Sequence, residues 1–353
     1  MSEVRHERPG VYSAYDASAV VTAGRGSKTV GVAAKAARGS VGEAVILTGY
    51  TAGVSAFGED TAAGMSTILR LLFSNGAATV VAVRVAEEGT LADYQAAFDV
   101  LGRQDVQIVV CDSADTQVQQ ALRTAVETAS GLRRERIAVV GGSGDTPAQL
   151  VERAASLNSE RMVLVGPDAL GRDGDALPGV FAAAAVAGVL AMGGDPAVPL
   201  NGAELDGLGG LSEDYGDNDI DLLVRGGVTP LESVAGVISP VRGITTRTTT
   251  GGVADTTWRE LTTILIVDDI IPTLRASLRS RFARAKNTVR GRGAIRSQVI
   301  VELEKKVAAE IIDSYGEVTV TASLEDPTVC LVEFSFAVAH GLNQIWLSVH
   351  ITV

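Results

Sequence analysis

Residues 137–165 read IAVVGGSGDTPAQLVERAASLNSERMVLV. An apolar run, Ile137–Val140, meets a Gly-rich turn, a helical stretch over 148–157 and a second apolar run, Met162–Val165. Short runs with no polar residue to alternate with suit strands covered on both faces, and the helix between them supplies a crossover. The unit repeats outward. Helix Leu91–Leu101 precedes strand Val106–Cys111, and helix Thr116–Ser130 precedes Ile137–Val140. Downstream, an Ala-rich helix near 180–192 closes the series. This alternation predicts a doubly wound α/β domain with a parallel sheet.

Further upstream, residues 30–88 read as a small α/β unit. Val45–Thr48 and Val80–Val85 are β-rich, and Met65, Ile68, Leu69, Leu72 and Phe73 recur at helical spacing before the Asn75-Gly76 stop. After Pro196 the chain turns irregular, with short strands expected around Leu222–Arg225 and Val237–Thr245 and a linker or exposed loop at TTRTTTGGVADTT, 245–257. Two long helices are expected over 260–285 and 295–313, with Pro272 at a helix start or a kink. Val318–Thr321 reads as a strand. Val332, Phe334, Phe336 and Val338 then alternate with Glu333, Ser335 and Ala337, and a terminal strand follows the turn at 340–343. The organisation expected is an N-terminal arm (1–20), a small α/β subdomain (21–88), an α/β domain (89–245), an α+β C-terminal domain (246–341) and a C-terminal arm strand (342–353).

Composition removes several classes. The chain has 353 residues, 46% of them hydrophobic and 20% charged, which is the make-up of a globular protein. Aromatics are 4%, so the core is built from Ala, Val, Leu and Ile. The longest apolar run, Val180–Met192, has 13 residues. A bilayer span takes ~20, so the run reads as a buried helix and no direct membrane insertion is expected. The polar start, MSEVRHERPG, shows no secretory h-region. Two distant cysteines, Cys111 and Cys330, support neither a disulfide framework nor a zinc site. A net charge of −12 argues against a nucleic-acid coat.

Catalytic chemistry finds little purchase. The turn at Gly142–Gly144 could cradle a phosphate at a helix N-terminus, as in a nucleotide-dependent α/β enzyme. Pro147, however, stands where GxGxxG needs its last glycine, and Ser143 and Asp145 suit capping and turn roles. The three histidines, His6, His340 and His350, lie near the termini, away from the strand ends where such a fold places catalysis. Asp112, Asp115, Asp168, Asp173 and Asp175 lack calcium-loop spacing and read as solvated loop acids. Asp268 and Asp269 interrupt an apolar helix and read as paired or exposed helix acids. No cofactor and no metal are expected.

Two other features point to assembly. From Arg275 to Lys306 ten Lys/Arg face two acids, a net +8 that leaves −20 on the rest of the chain. Such a stripe suits a partner of opposite sign. The β-prone ends, Val11–Tyr15 and Ile345–Val353, must pair within the fold or with another copy.

The chain resembles contractile tail sheath proteins of phages and phage-derived particles. The resemblance runs through Arg8-Pro9-Gly10-Val11-Tyr12, Phe57-Gly58, Phe73–Ala77, Val83–Val85, Ala187–Ala191, Pro199-Leu200-Asn201, Asp221–Val228, Val241–Arg247 and the closing AVAHGLNQIWLSVHITV. It implies a non-enzymatic subunit of hexameric rings stacked around a tail tube, which contracts to drive the tube through an envelope. It further implies a subtilisin-like fold for the middle domain and contacts with tube, baseplate and tail terminator proteins. The particle would be a virion tail or a phage-tail-like device, assembled in the bacterial host cytoplasm. Arms carrying Val11, Tyr12, Ser13 and Tyr15, and Ile345, Trp346, Leu347, Val349 and Ile351, would add strands to neighbouring copies. Arg279, Lys286 and Arg296 would face the tube. The competing readings are the nucleotide-dependent enzyme at Gly142–Gly144 and a secretion-system sheath.

Overall fold

Val30, Val32 and Ala34 point to one side of a strand and Gly31 and Ala33 to the other, and both sides are buried. This strand, β1 (Val30–Lys35), is central to the fold. The computed structural model describes residues 28–59, 63–343 and 347–348. After β1 come β2 (Ala44–Leu47), α1 (Tyr50–Phe57), α2 (Met65–Ser74), β3 (Val80–Val85) and α3 (Leu91–Gly102). The expected alternation follows: β4 (Ile108–Cys111), α4 (Thr116–Gly131), β5 (Ile137–Gly141), α5 (Pro147–Leu157) and β6 (Met162–Gly166). Two short strands, β7 (Ala169–Leu170) and β8 (Ala176–Leu177), lead to α6 (Gly179–Met192). Then come β9 (Gly210–Leu211), α7 (Asp217–Arg225), β10 (Thr229–Val234) and β11 (Val237–Pro240).

Eight of these strands form one sheet in the order β11-β10-β6-β5-β4-β1-β3-β2, and β8, β7 and β9 form a separate three-stranded sheet. The six inner strands are parallel, and the edge strands β2 and β11 are antiparallel to their neighbours, so the sheet is mixed rather than all-parallel. Because β1 lies between β3 and β4, the 21–88 segment shares its sheet with the segment after it. Parallel crossovers put helices on both faces. Ile108, Ile137, Val139, Val163 and Val165 meet α1, α2 and α6 on one face. Val109, Ala138, Val140, Met162 and Leu164 meet α3, α4, α5 and α7 on the other. Helix α6 is apolar all round and lies inside the first of these cores, as its composition requires. No described helix is long and apolar enough to cross a membrane.

Two expectations change here. Leu222–Arg225 is helical, not a strand. Asp217 and Asp219 sit in the first turn of α7, Arg225 in the last, and Gly226 follows, which suits the helix dipole and its stop. The 245–257 stretch is not simply exposed. Thr245 and Thr246 are fully buried. The Thr246 amide donates to the Met162 carbonyl (2.9 Å), and its hydroxyl donates to the Ser159 carbonyl (3.0 Å). Only then does a hairpin form, β12 (Thr249–Thr250) with β13 (Val253–Ala254) through Gly251-Gly252.

The rest builds an α+β lobe: α8 (Leu261–Phe282), α9 (Val289–Ala308), β14 (Ile312–Tyr315), β15 (Thr319–Ala322), β16 (Cys330–Glu333) and β17 (Phe336–Val338). Pro272 is inside α8, and α9 starts and ends several residues earlier than its periodicity suggests. The alternating run 332–338 is split between two strands with different partners: β16 pairs with β15 and β17 with β14. Ile266, Ile270, Leu274, Val299, Leu303, Ile312 and Val318 form this lobe's core.

Candidate assembly surface

Helices α8 and α9 form a hairpin whose tip carries most of the basic segment. Four of its ten cations are accounted for near the hairpin's base or within it. Arg275 pairs with Glu135, Lys305 with Glu302 and Lys306 with Asp269, and Arg292 donates to Asn287 Oδ1 at 2.9 Å. Arg279, Arg281, Arg284, Lys286 and Arg290 are exposed and have no ion-pair partner among the described residues. Arg296 is exposed too, but its Nε donates to the Val318 carbonyl at 2.7 Å. The tip is held in place by Asn287, whose Nδ2 donates to the carbonyls of Pro327 (2.8 Å) and Val329 (3.1 Å). Thr288 caps α9 by accepting the Gly291 amide at 3.0 Å. Like charges crowded at one hairpin tip repel one another, and an acidic surface would relieve them.

Beside the hairpin lie two two-stranded sheets. Val320, Val332, Phe336 and Val338 pack inward on the lobe core. The outer edges of β14, β15, β16 and β17 have no strand partner among the described residues. Leu324, Val329 and Leu331, on or beside the β15–β16 hairpin, are exposed. Open backbone edges next to exposed apolar side chains offer the hydrogen-bonding groups that strand addition uses.

The Gly-rich turn is already filled by the protein's own groups. Asp168 accepts the amides of Gly144 (2.7 Å) and Gly179 (2.8 Å), so a carboxylate occupies the N-terminus of α6. Asp145 takes the Ser143 amide (3.4 Å) and forms an ion pair with Arg153 (2.8 Å). The cap of α5 is Thr146, in a capping box with Gln149, and not Ser143 or Asp145. A phosphate would meet two carboxylates here instead of free amides.

The remaining candidates have structural employment. Asp112 accepts from the Tyr94 hydroxyl and the Lys35 amide, and burial pushes its carboxyl up. Asp115 is exposed, as expected, and also caps α4 by accepting the Gln117 amide at 2.7 Å. Asp173 and Asp175 are exposed, as expected. Asp268 and Asp269 are both paired, with Arg161 and Lys306. Burial pushes the Cys111 thiol up to about 12, which leaves it inert. His340 is exposed, and among the described residues no cluster of three His, Cys, Asp or Glu could hold a metal.

Of the expected arm residues, Val11, Tyr12, Ser13, Tyr15, Ile345, Trp346, Val349 and Ile351 lie outside the described residues, while Leu347 is exposed and in no strand. Sequence reasoning missed Arg161, Glu135 and Arg153 as ion-pair partners. Only the acids at 268–269 signalled, by interrupting an apolar helix, that partners were needed.

Comparison with known proteins gives one consistent result. The family described as phage tail sheath protein central domain matches residues 88–246, and the phage tail sheath C-terminal domain matches 253–352. The tail sheath protein of Bacillus phage SP01 is 30% identical over 274 residues, covering 75% of this chain and 46% of that protein. The chain thus spans about half the length of that relative. Among solved structures, the sheath tail protein of Desulfitobacterium hafniense superposes with a TM-score of 0.71 at 12% identity, over 93% of this chain and 100% of that one. The anti-feeding prophage (AFP) helical sheath in its contracted state gives 0.72 at 15% identity, over 98% and 99%. The PVC sheath of an extracellular contractile injection system, also contracted, gives 0.72 at 15%, over 99% of each.

Proposed function

We propose, from the premise that this chain belongs to the phage tail sheath family, that it is the structural subunit of a contractile sheath and not an enzyme. It polymerises as hexameric rings stacked around a tail tube, between a baseplate and a terminator, and its contraction drives the tube through the target envelope. The particle is a phage tail or phage-tail-like device assembled in the bacterial host cytoplasm. Its middle domain is a subtilisin-like fold without a catalytic triad.

The observation that carries this reading is the C-terminal lobe, which among the described residues has four open strand edges and cations without ion-pair partners on one hairpin. The N-terminal arm with Val11, Tyr12, Ser13 and Tyr15 and the C-terminal arm with Ile345 to Ile351 extend those sheets on neighbouring copies. Main-chain hydrogen bonds then survive a large rigid-body rearrangement, because they depend on the lobe and not on the angle between subunits. Arg279, Lys286 and Arg296 face the tube and meet acidic groups there. Exposed ion pairs are weak, about 0–1 kcal/mol each, so they can hold register collectively and still be released.

Electron microscopy of the purified protein tests the reading. Hollow or striated cylinders support it; discrete small particles in every buffer and concentration overturn it.

A further inference from the structure

Helix α8 belongs to two hydrophobic cores. Leu261, Ile264 and Leu265 pack with the sheet, and Ile266, Ile270 and Leu274 pack in the C-terminal lobe. Pro272 sits inside this helix. It has no amide hydrogen to give the Asp268 carbonyl one turn back, so the helical ladder lacks a rung there. Beside that gap lies a cavity of about 340 Å³, lined by Val106 just before β4, by Ile108 and Ile137 from the sheet, and by Leu265, Asp268 and Pro272 from the helix. Among the described residues, the helix is therefore weakened at a place where one side faces a cavity.

Ion pairs straddle the same place. Arg161, just before β6, grips Asp268 with both guanidinium nitrogens: Nη1 to Oδ2 at 2.8 Å and Nη2 to Oδ1 at 3.0 Å. Arg161 is itself fixed by donating to the Arg136 carbonyl at 3.1 Å. Asp268 and Arg275 are two helical turns apart and share a face, and Arg275 pairs with Glu135 just before β5. One pair lies on each side of Pro272. Asp269 points elsewhere around the helix and pairs with Lys306 of α9, within the lobe.

We propose that Pro272 is a hinge between the sheet and the C-terminal lobe, and that the Arg161–Asp268 and Glu135–Arg275 pairs clamp it. Apolar packing at this junction would fix the angle permanently. A missing rung, a cavity and two charge pairs instead give a joint that is held in one geometry and can be released by separating charges. Removing one member of a half-buried pair strands the other charge, so the clamp fails sharply.

Amide hydrogen exchange on the full chain reads the hinge directly. The variants are Asp268→Asn, Arg161→Gln, Pro272→Ala and the double variant Asp268→Asn/Pro272→Ala, all compared in the same assembly state. Asp268→Asn and Arg161→Gln should speed exchange over residues 269–279 roughly tenfold and leave β4 and β5 unchanged. Pro272→Ala, which restores the rung, should suppress most of that acceleration in the double variant. Unchanged exchange in α8, acceleration spread equally into β4 and β5, or an undiminished effect in the double variant would each overturn the proposal. Glu135→Gln removes the more exposed pair and gives the same readout if an Asp268 variant does not fold.

Discussion

Gly141, the last residue of β5, lies against Gly179, the first of α6, so closely that a Cβ on Gly141 would fall 2.1 Å from the Gly179 carbonyl carbon. The first glycine of the Gly-rich turn is therefore there for backbone packing. It lets the buried helix meet the sheet, where Gln119, itself fully buried, donates to the Gly141 carbonyl at 2.8 Å.

Replacing Gly141 by Ala should cost roughly 3 kcal/mol or more, because the contact is backbone on backbone and neither side has a rotamer to move. Denaturant unfolding measures this. A change below about 1 kcal/mol would show that α6 shifts freely.

Asp145→Ala should break the Arg153 pair and weaken the turn, with a loss of about 1–3 kcal/mol. Ser143→Ala should change little. Neither variant nor the wild type should bind nucleotide, since Asp168 and Asp145 already hold the turn's amides. Micromolar binding in calorimetry would contradict this assignment.

Deleting residues 1–16 or 343–353 should abolish stable cylinders and leave a folded subunit whose melting temperature moves by less than roughly 3 °C. The lobe's edges are unpartnered among the described residues, so the fold has its cores without them. Normal cylinders from both truncations would rule out strand exchange. Loss of the folded subunit would mean the ends pair within their own chain.

Reversing charge at Arg279, Lys286 and Arg296 together should impair polymerisation on tubes or cause early contraction, without unfolding the subunit. Assembly of the wild type on tubes should weaken as salt rises, since exposed pairs are screened beyond ~8–10 Å at physiological ionic strength. Tube binding that ignores both salt and the reversal would place these side chains elsewhere.

Acid should loosen the C-terminal lobe. Glu302 Oε1 accepts from Ser277 Oγ (2.9 Å) and Gln298 Nε2 (2.7 Å), and Lys305 Nζ lies 2.9 Å from Oε2. The Lys305 bond, first, and the Ser277 and Gln298 bonds hold its carboxyl below its ordinary 4.5. At Glu135 burial acts upward and is the largest single influence, but the Arg275 guanidinium, the backbone amide and the Arg161 charge together outweigh it, and that carboxyl is also held low. In both cases the unfolded chain takes up a proton before the folded one does. Their stabilisation is thus complete above the unfolded value and is lost as pH falls through the lower folded value. Melting temperatures followed from pH ~6 down to ~3 should fall, and Glu302→Gln should flatten that limb. An unchanged acid limb in the variant would show that Glu302 contributes nothing to it.

The apolar runs at 108–111, 137–140 and 162–165 and the all-apolar helix at 180–192 were legible because burial on both sides leaves no polar residue to interrupt a segment. The basic segment and the absence of placed histidines were equally open to reading, since charge and composition are properties of the chain alone. What tertiary structure decided was pairing. Nothing local states that β1 would sit between β3 and β4, that 332–338 would divide between two partners, or that the helix over Asp217–Arg225 would use its apolar residues against α5. Strand neighbours are chosen by contacts between distant residues, and a period-two pattern is identical whichever strand lies beside it. The same holds for charge: Asp268 announced a need for a cation, but Arg161 is more than a hundred residues away and becomes its partner only once α8 docks on the ends of the sheet.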